Sequence, residues 1–475
     1  MMKLKKILIL TLSWVMIGAM GIGFAACDGE TDSVSSNSLM QPSNDISSSL
    51  EDGNTVGGNS MQGDLSGGEH VHNWIIREGK EAGCIEDGYT QSQYCECGAG
   101  TLAEPIPALG HDYVNDVCVH CKGDFYSEGL VFTLNEDKDS YSVTGRGTCT
   151  DSNIVIPGVY NNLPVTMIGK KAFYSCKQLT NIEIPNSIMF IGDNAFDSCG
   201  GLTDIEIPNS VTAIGKEAFY YCEGLVEITI PSSVTVISEY LFYSCLNLKK
   251  VTIGNTTTEI KEGAFYQCQA LEEFSFFEGL TTIGEKAFYY CSSLRSDIKI
   301  PNSVTTLGER AFENCSSVKN LVIGDNVTEL GYYVFGECES LTSVSIGTGC
   351  ETIGKMAFFG CANLKSIDIP TGVLMIEDSA FCYCSELTTV KISDTVTTIG
   401  GAVFMHCKKL SNLIIGKGVT YIGWYTFENC LSLSSITFTG TVAEWDAIKK
   451  SNEWTSNSDT LLVKEIVCSD NIIMI

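Results

Sequence analysis

At 475 residues the chain exceeds one ordinary domain, so length predicts either several units or one elongated repeat array. A hydrophobic fraction of 44% against 18% charged excludes a wholly disordered chain and allows a large buried core. The formal net charge of −28 argues against a nucleic-acid partner, because phosphate binding needs a basic footprint that releases counterions.

The first element is an address. Lys3, Lys5 and Lys6 precede an uncharged apolar run from Ile7 to Ala26 that ends Phe24-Ala25-Ala26-Cys27, so residues 1–26 read as a signal peptide. The stretch resembles a bacterial lipoprotein lipobox, with Phe24 where that pattern prefers Leu. The resemblance implies that Cys27 carries a lipid that holds the protein at the membrane. The residues themselves leave plain secretion and a retained transmembrane helix open, since about 20 apolar residues would span a bilayer. All three readings place the remainder outside the cytoplasm.

Residues 27–69 are rich in Ser, Gly, Asn and acidic side chains, contain no Lys or Arg, and show no apolar period. They read as a disordered tether. Residues 70–125 then hold four of the five histidines and five cysteines. Cys118-Val-His-Cys121 is a C-x₂-C knuckle and Cys95-Glu-Cys97-Gly98 a tighter C-x-C variant. Such pairs suit tetrahedral zinc, which can fold a segment too small for its own core. The set His72, Cys84, Cys95, Cys97, His111, Cys118 and Cys121 resembles a small Cys/His module of surface proteins from anaerobic Firmicutes. A structural zinc and a disulfide knot both remain open, because thiols outside the cell oxidise.

The decisive feature is a period. Ala-Phe-x-x-Cys, with Leu, Val or Thr in place of Ala in four copies, recurs with Phe at 173, 196, 219, 242, 265, 288, 312, 335, 358, 381, 404 and 427, at intervals of 23 residues except 24 between Phe288 and Phe312. Twelve copies at a short fixed period mean a solenoid whose coils bury their apolar sides against one another. In the coil from Leu202 to Cys222, Ile205 and Ile207 alternate with polar residues as a short strand. Pro208 ends that strand, Val211 and Ile214 add a second apolar patch, and Gly215 supplies a turn. Ala218, Phe219 and Cys222 then face inward from a short helical turn. The extra residue within Leu294–Ile298 predicts a local break in the regular face.

These repeats resemble those of BspA-like leucine-rich-repeat surface antigens. The resemblance implies a β-rich α/β repeat solenoid of about 12 coils over residues 154–438, with an N-terminal cap at 126–153 and a C-terminal cap at 439–475. It further implies adhesion to host extracellular protein or glycan, or to other bacterial cells, by a monomer exposed at the cell surface. The other reading is an envelope component that binds the cell's own wall polymers or neighbours.

Twelve of the 22 cysteines occupy the repeat position. Stacked equivalents point in parallel, which keeps their Cβ atoms near the rung spacing and disfavours disulfides, so they read as buried thiols acting as small apolar fillers. Catalysis finds no support: His406 beside Cys407 is adjacency in sequence, not a convergent dyad, and no phosphate loop or zincin motif appears. Glu183, Glu206 and Asp368 read as a solvated strand face, and Asn135–Asp139 as a hairpin turn. One recognition candidate emerges. Tyr174, Tyr220, Tyr243, Tyr266, Tyr289 and Phe359 follow the buried Phe of their coils, forming either an exposed stripe or a row that packs on itself and covers the core.

Overall fold

The computed structural model describes residues 126–295, 297–455 and 463–475, together with the backbone of short strands between Ile75 and Cys118. Cys27, the expected signal peptide and tether, and the side chains of His72, Cys84, Cys95, Cys97, His111, Cys118 and Cys121 lie outside the described residues.

Each coil has three segments, and each segment hydrogen-bonds to its equivalents in neighbouring coils. The Ile-x-Ile segment forms a parallel ladder, as where Glu227–Thr229 pairs with Lys250–Thr252. Inward residues such as Ile228 are buried while Glu227 and Thr229 are exposed. This ladder is most regular from Ser366–Ile369 through Thr389–Ile392, Asn412–Ile415 and Ser435–Phe438. It is broken between Glu273 and Ile298, the interval that carries the extra residue, and again between Ser345 and Ser366, where the repeat length is regular. Asp204–Ile207 forms no strand either, although Ile205 and Ile207 are buried as the alternation predicts.

The second segment, around Val211 and Ile214, forms another parallel ladder, with Phe190–Ile191 against Ala213–Ile214 and its equivalents onward. Gly215 sits at its end for a reason other than the expected one. Its φ is not positive, so it does not serve as a left-handed turn residue. A Cβ there would fall 2.4 Å from Asp193 N and 2.6 Å from the Gly192 carbonyl carbon. The glycine permits close approach of one coil's backbone to the next.

The third segment also departs from expectation. Among the described residues the repeats contain no helix; Ala-Phe-x-x-Cys lies in consecutive turns. Two positions per coil, two residues before and two after the buried Phe, adopt positive φ, as Glu217 (57°) and Tyr221 (53°) do around Phe219. These flips point alternate amides along the stack. The N–H groups of Glu217, Phe219 and Tyr221 donate to the carbonyls of Glu239, Leu241 and Tyr243 at 3.0, 3.0 and 2.9 Å. Tyr220 and Cys222 instead donate within the coil, to Glu217 and Phe219. A helix would keep all these bonds inside one coil, whereas the alternation satisfies the turn backbone and joins neighbours. The strain of non-glycine residues in this region, on the order of 1 kcal/mol each, is offset by those inter-coil bonds.

The core is a column of phenylalanines. Rings from Phe173 to Phe427 stack at centroid distances of 5.1–6.0 Å and interplanar angles of 3–17°. The repeat cysteines beside them are buried and unbridged. They do more than fill space. From Cys199 to Cys430 each thiol donates to the carbonyl of the Phe one coil earlier than its own, at 3.0–3.3 Å. Cys176, with no preceding Phe coil, lies 3.9 Å from Tyr174 O instead. Of the cysteines off this column, Cys350 stands buried at a valine position and Cys382 is buried directly after Phe381.

Both ends of the stack are closed. Before the first repeat, Val131–Leu134 and Tyr141–Gly145 form an antiparallel hairpin, and the second strand pairs in parallel with Leu163–Ile168. Its turn at Asn135–Asp139 is held by Asp137, which accepts from the N–H groups of Asp139 and Ser140. After the last repeat, Lys449–Lys450 and Glu465–Val467 extend the two ladders by one rung, giving about 13 coils. Thr441 caps a helix at Val442–Ala447 through a capping box with Glu444. The helix places Trp445 against Phe438 and Trp454, and Trp454 against Phe427, so aromatic surface covers the end of the phenylalanine column.

Candidate binding surface

The residue after each core Phe lies between the two positive-φ positions and is less deeply buried than that Phe, half-buried in most of the tyrosine coils. Stacking of coils then stacks these side chains. The rings of Tyr220, Tyr243, Tyr266 and Tyr289 lie in one series, with centroids 4.5, 4.6 and 4.5 Å apart and planes within 7–18°. All four are half-buried. Their faces cover one another, which leaves each ring half-buried. Tyr221 and Tyr290, exposed by 41% and 38%, flank the series, Tyr221 edge-on to Tyr220 and Tyr290 tilted against Tyr289. Burial pushes the Tyr220 hydroxyl up to about 12 and raises those of Tyr243, Tyr266 and Tyr289 in the same direction, so the row presents neutral hydrogen-bonding groups at physiological pH. Such rigid amphipathic rings are the usual anchors of protein recognition.

Two of the predicted positions stand apart. Tyr174 is separated from Tyr220 because the intervening coil carries Asp197; it is exposed and lies under the Lys171 ammonium at 5.2 Å. Phe359 is separated from Tyr289 because Glu313 and Gly336 occupy the intervening coils. It packs instead on Tyr333 and Tyr383, at 5.5 and 5.4 Å, and Tyr383 stacks on His406 at 4.5 Å.

The sequence reading overlooked Glu313, which ends the tyrosine series. It is 7% exposed, and its Oε2 has no hydrogen-bond partner, although the Arg310 guanidinium approaches to 3.4 Å. Burial, opposed by Arg310, pushes its carboxyl up to about 7. Arg310 itself lies over Tyr332 and Tyr333 at 5.1 and 5.5 Å. The available signal was positional: an acid at a site where four preceding coils carry tyrosine.

On the Ile-x-Ile face the exposed residues behave as the solvated row that alternation predicts, but the face is also hollowed. A groove of about 870 Å³ runs across coils from Asn181 to Thr252, and Glu183, Asp204, Glu206, Glu227 and Lys250 line it. Four carboxylates against one ammonium make it acidic.

No group of three or more His, Cys, Asp or Glu able to hold a metal occurs among the described residues. The Cys407 thiol is directed to Phe381 O, and burial pushes it well above its ordinary value. His406 is half-buried on Tyr383, with its pKa lowered by burial and by Lys408. The pair lacks the mutual geometry of a nucleophile and its base.

Among solved structures the chain is similar to a leucine-rich cell surface protein from Faecalibacterium prausnitzii, at 26% identity over 69% of this chain and 98% of that one, with a TM-score of 0.38. A leucine-rich-repeat protein from Bacteroides ovatus is 23% identical over 69% of this chain and 99% of its own, with a TM-score of 0.39. The pneumococcal vaccine antigen PcpA is 17% identical over 73% and 98%, with a TM-score of 0.44. No curated protein matches the chain. The BspA-type leucine-rich-repeat region, in six copies, matches residues 150–272, 258–388 and 328–451. With the period, the phenylalanine column and a match to more than half its length, the chain belongs to the BspA-type leucine-rich-repeat family.

Proposed function

We propose that the protein is a cell-surface binding protein, an adhesin that engages an extracellular host protein or glycan through its repeat array and has no catalytic role. The observation that carries this reading is the series Tyr220, Tyr243, Tyr266 and Tyr289 with its exposed flanks Tyr221 and Tyr290. Six tyrosines on four successive coils form a rigid surface that loses little side-chain entropy on binding. In this reading a lipid on Cys27 anchors the chain, residues 27–69 form a stalk, and a structural zinc held by the 70–121 set orders the module that precedes the array.

The test is binding of the full chain to a panel of extracellular matrix proteins, mucins and cell-wall polymers, beside a Tyr243→Ala, Tyr266→Ala double variant. Saturable binding to a host molecule, weakened at least tenfold in the variant, supports the adhesin. Retention on cell-wall polymer alone supports the envelope role, and binding unaffected by the variant removes the tyrosine series from the site.

A further inference from the structure

A second aromatic feature lies on a different row of the coils, three residues before the core Phe. Trp424 is exposed by 46%, a large fraction for the costliest aromatic side chain to leave in water. Its indole rests on Gly401, the equivalent residue of the preceding coil: a Cβ there would fall 2.5 Å from both Cε2 and Nε1. Gly401 has an ordinary φ, so what its missing side chain provides is a seat for the ring. With one indole face on this seat, the exposed area is the opposite face and the rim. The seat is also pinned from below, because Gly401 N–H donates to Asp378 Oδ1 at 2.7 Å and Ala402 N–H donates to Trp424 O at 2.7 Å. Asp378 Oδ2 has no partner among the described residues. On the other side Tyr425 stands edge-on to the indole, at 5.4 Å and 89°, with its hydroxyl donating to Glu453.

A flat aromatic face held from behind, with the Asp378 carboxylate fixed on the amide of its seat and the Tyr425 ring beside it, matches a particular ligand chemistry. The apolar C–H face of a pyranose is electropositive and stacks on the negative face of an indole. Its equatorial hydroxyls then lie at the rim, open to hydrogen bonds with a nearby carboxylate. The tyrosine series differs, because its faces are covered by one another. From this geometry we infer that Trp424, Gly401 and Asp378 form a saccharide-stacking subsite for a neutral sugar ring, separate from the tyrosine face. Asp378 disfavours sugars that carry a carboxylate, so sialylated or uronic-acid units are rejected. A host glycan and the glycan strand of a cell wall both supply such a ring.

The experiment titrates the full chain with neutral oligosaccharides of galactose and of N-acetylglucosamine, with sialylated and uronic-acid oligosaccharides beside them, followed by tryptophan fluorescence and calorimetry. The subsite predicts saturable binding of a neutral oligosaccharide, with a fluorescence change that Trp424→Phe abolishes while it weakens affinity only a few-fold. Trp424→Ala weakens binding at least tenfold and Asp378→Asn several-fold. Gly401→Val, which tilts the indole off its seat while retaining it, weakens binding as Trp424→Ala does; urea unfolding of each variant separates this from loss of fold. Preference for the galactose series points to a host source and preference for N-acetylglucosamine to wall glycan. Absence of saturable saccharide binding, binding indifferent to Trp424→Ala, or binding of the acidic sugars in preference overturns the inference. The tyrosine face stands or falls separately, on the protein panel.

Discussion

Replacing Glu313 by Gln tests whether the end of the tyrosine series is as dry as the structure shows. The carboxyl is pushed from its ordinary 4.5 to about 7, chiefly by burial. Below pH 4.5 it is protonated in folded and unfolded chains alike and costs nothing. Between 4.5 and about 7 the unfolded chain ionises while the folded one holds its proton, so stability falls as pH rises; above 7 the cost is constant. A pKa displaced by this amount corresponds to up to about 3 kcal/mol at the plateau. Glu313→Gln keeps the shape and removes the charge, while Arg310 keeps its tyrosine contacts and partial exposure. Urea unfolding of both proteins at pH 4, 5.5, 7 and 8 should show equal stability at the lowest pH and a variant more stable by about 2–3 kcal/mol at the highest. Glu337, raised in the same direction by burial, is present in both and largely cancels. A difference that does not change with pH, or a variant less stable at pH 8, would refute the account of Glu313 as a buried, weakly compensated acid.

Three further outcomes follow from the packing. Cys268→Ala should cost about 1–2 kcal/mol, because it removes the bond to Phe242 O and leaves a small void, and Cys268→Ser should be no worse, because its hydroxyl keeps a donor there; a serine variant clearly less stable than alanine in urea would return the thiol to a simple apolar filler. Ser175→Gly should stabilise by about 0.5–1 kcal/mol, since Ser175 is exposed at φ 58° and glycine relieves that strain; a lower unfolding midpoint contradicts it. In the 70–121 module, one zinc per full chain by elemental analysis, lost with Cys95→Ala or Cys118→Ala, is the outcome for the metal reading, whereas thiols that resist alkylation until reduced mark disulfides.

Much of the architecture was legible because one pattern repeats. The phenylalanine and cysteine positions assigned to the interior are buried, as are the isoleucine and valine positions in all but a few coils such as those of Ile184, Ile253 and Val344, and the extra residue before Ile298 falls in one of the ladder breaks. What failed was conformation that depends on neighbours. Ala-Phe-x-x-Cys has the spacing of a helical turn, yet its amides find better partners in the next coil, and no local propensity encodes that choice. Gly215 looked like a turn residue for the same reason, since a close inter-coil approach leaves no trace within one repeat. The tyrosine row was visible by residue type, but its extent was set by Asp197, Glu313 and Gly336, which interrupt it. Trp424 escaped notice because its row carries aromatic residues only at Tyr332 and Trp424, so periodicity gave no signal.

The most direct test of the tyrosine face separates recognition from packing in one protein. Tyr243→Ser, inside the ring series, and Tyr221→Ser, at its exposed flank, are measured for stability in urea and for affinity to whichever panel molecule the full chain binds. The account predicts that Tyr221→Ser weakens binding at least tenfold with an unfolding midpoint near that of the parent chain, while Tyr243→Ser lowers both. Unchanged affinity in both variants, with loss of stability in Tyr243→Ser alone, would show that the rings only cover the core and that the partner binds elsewhere.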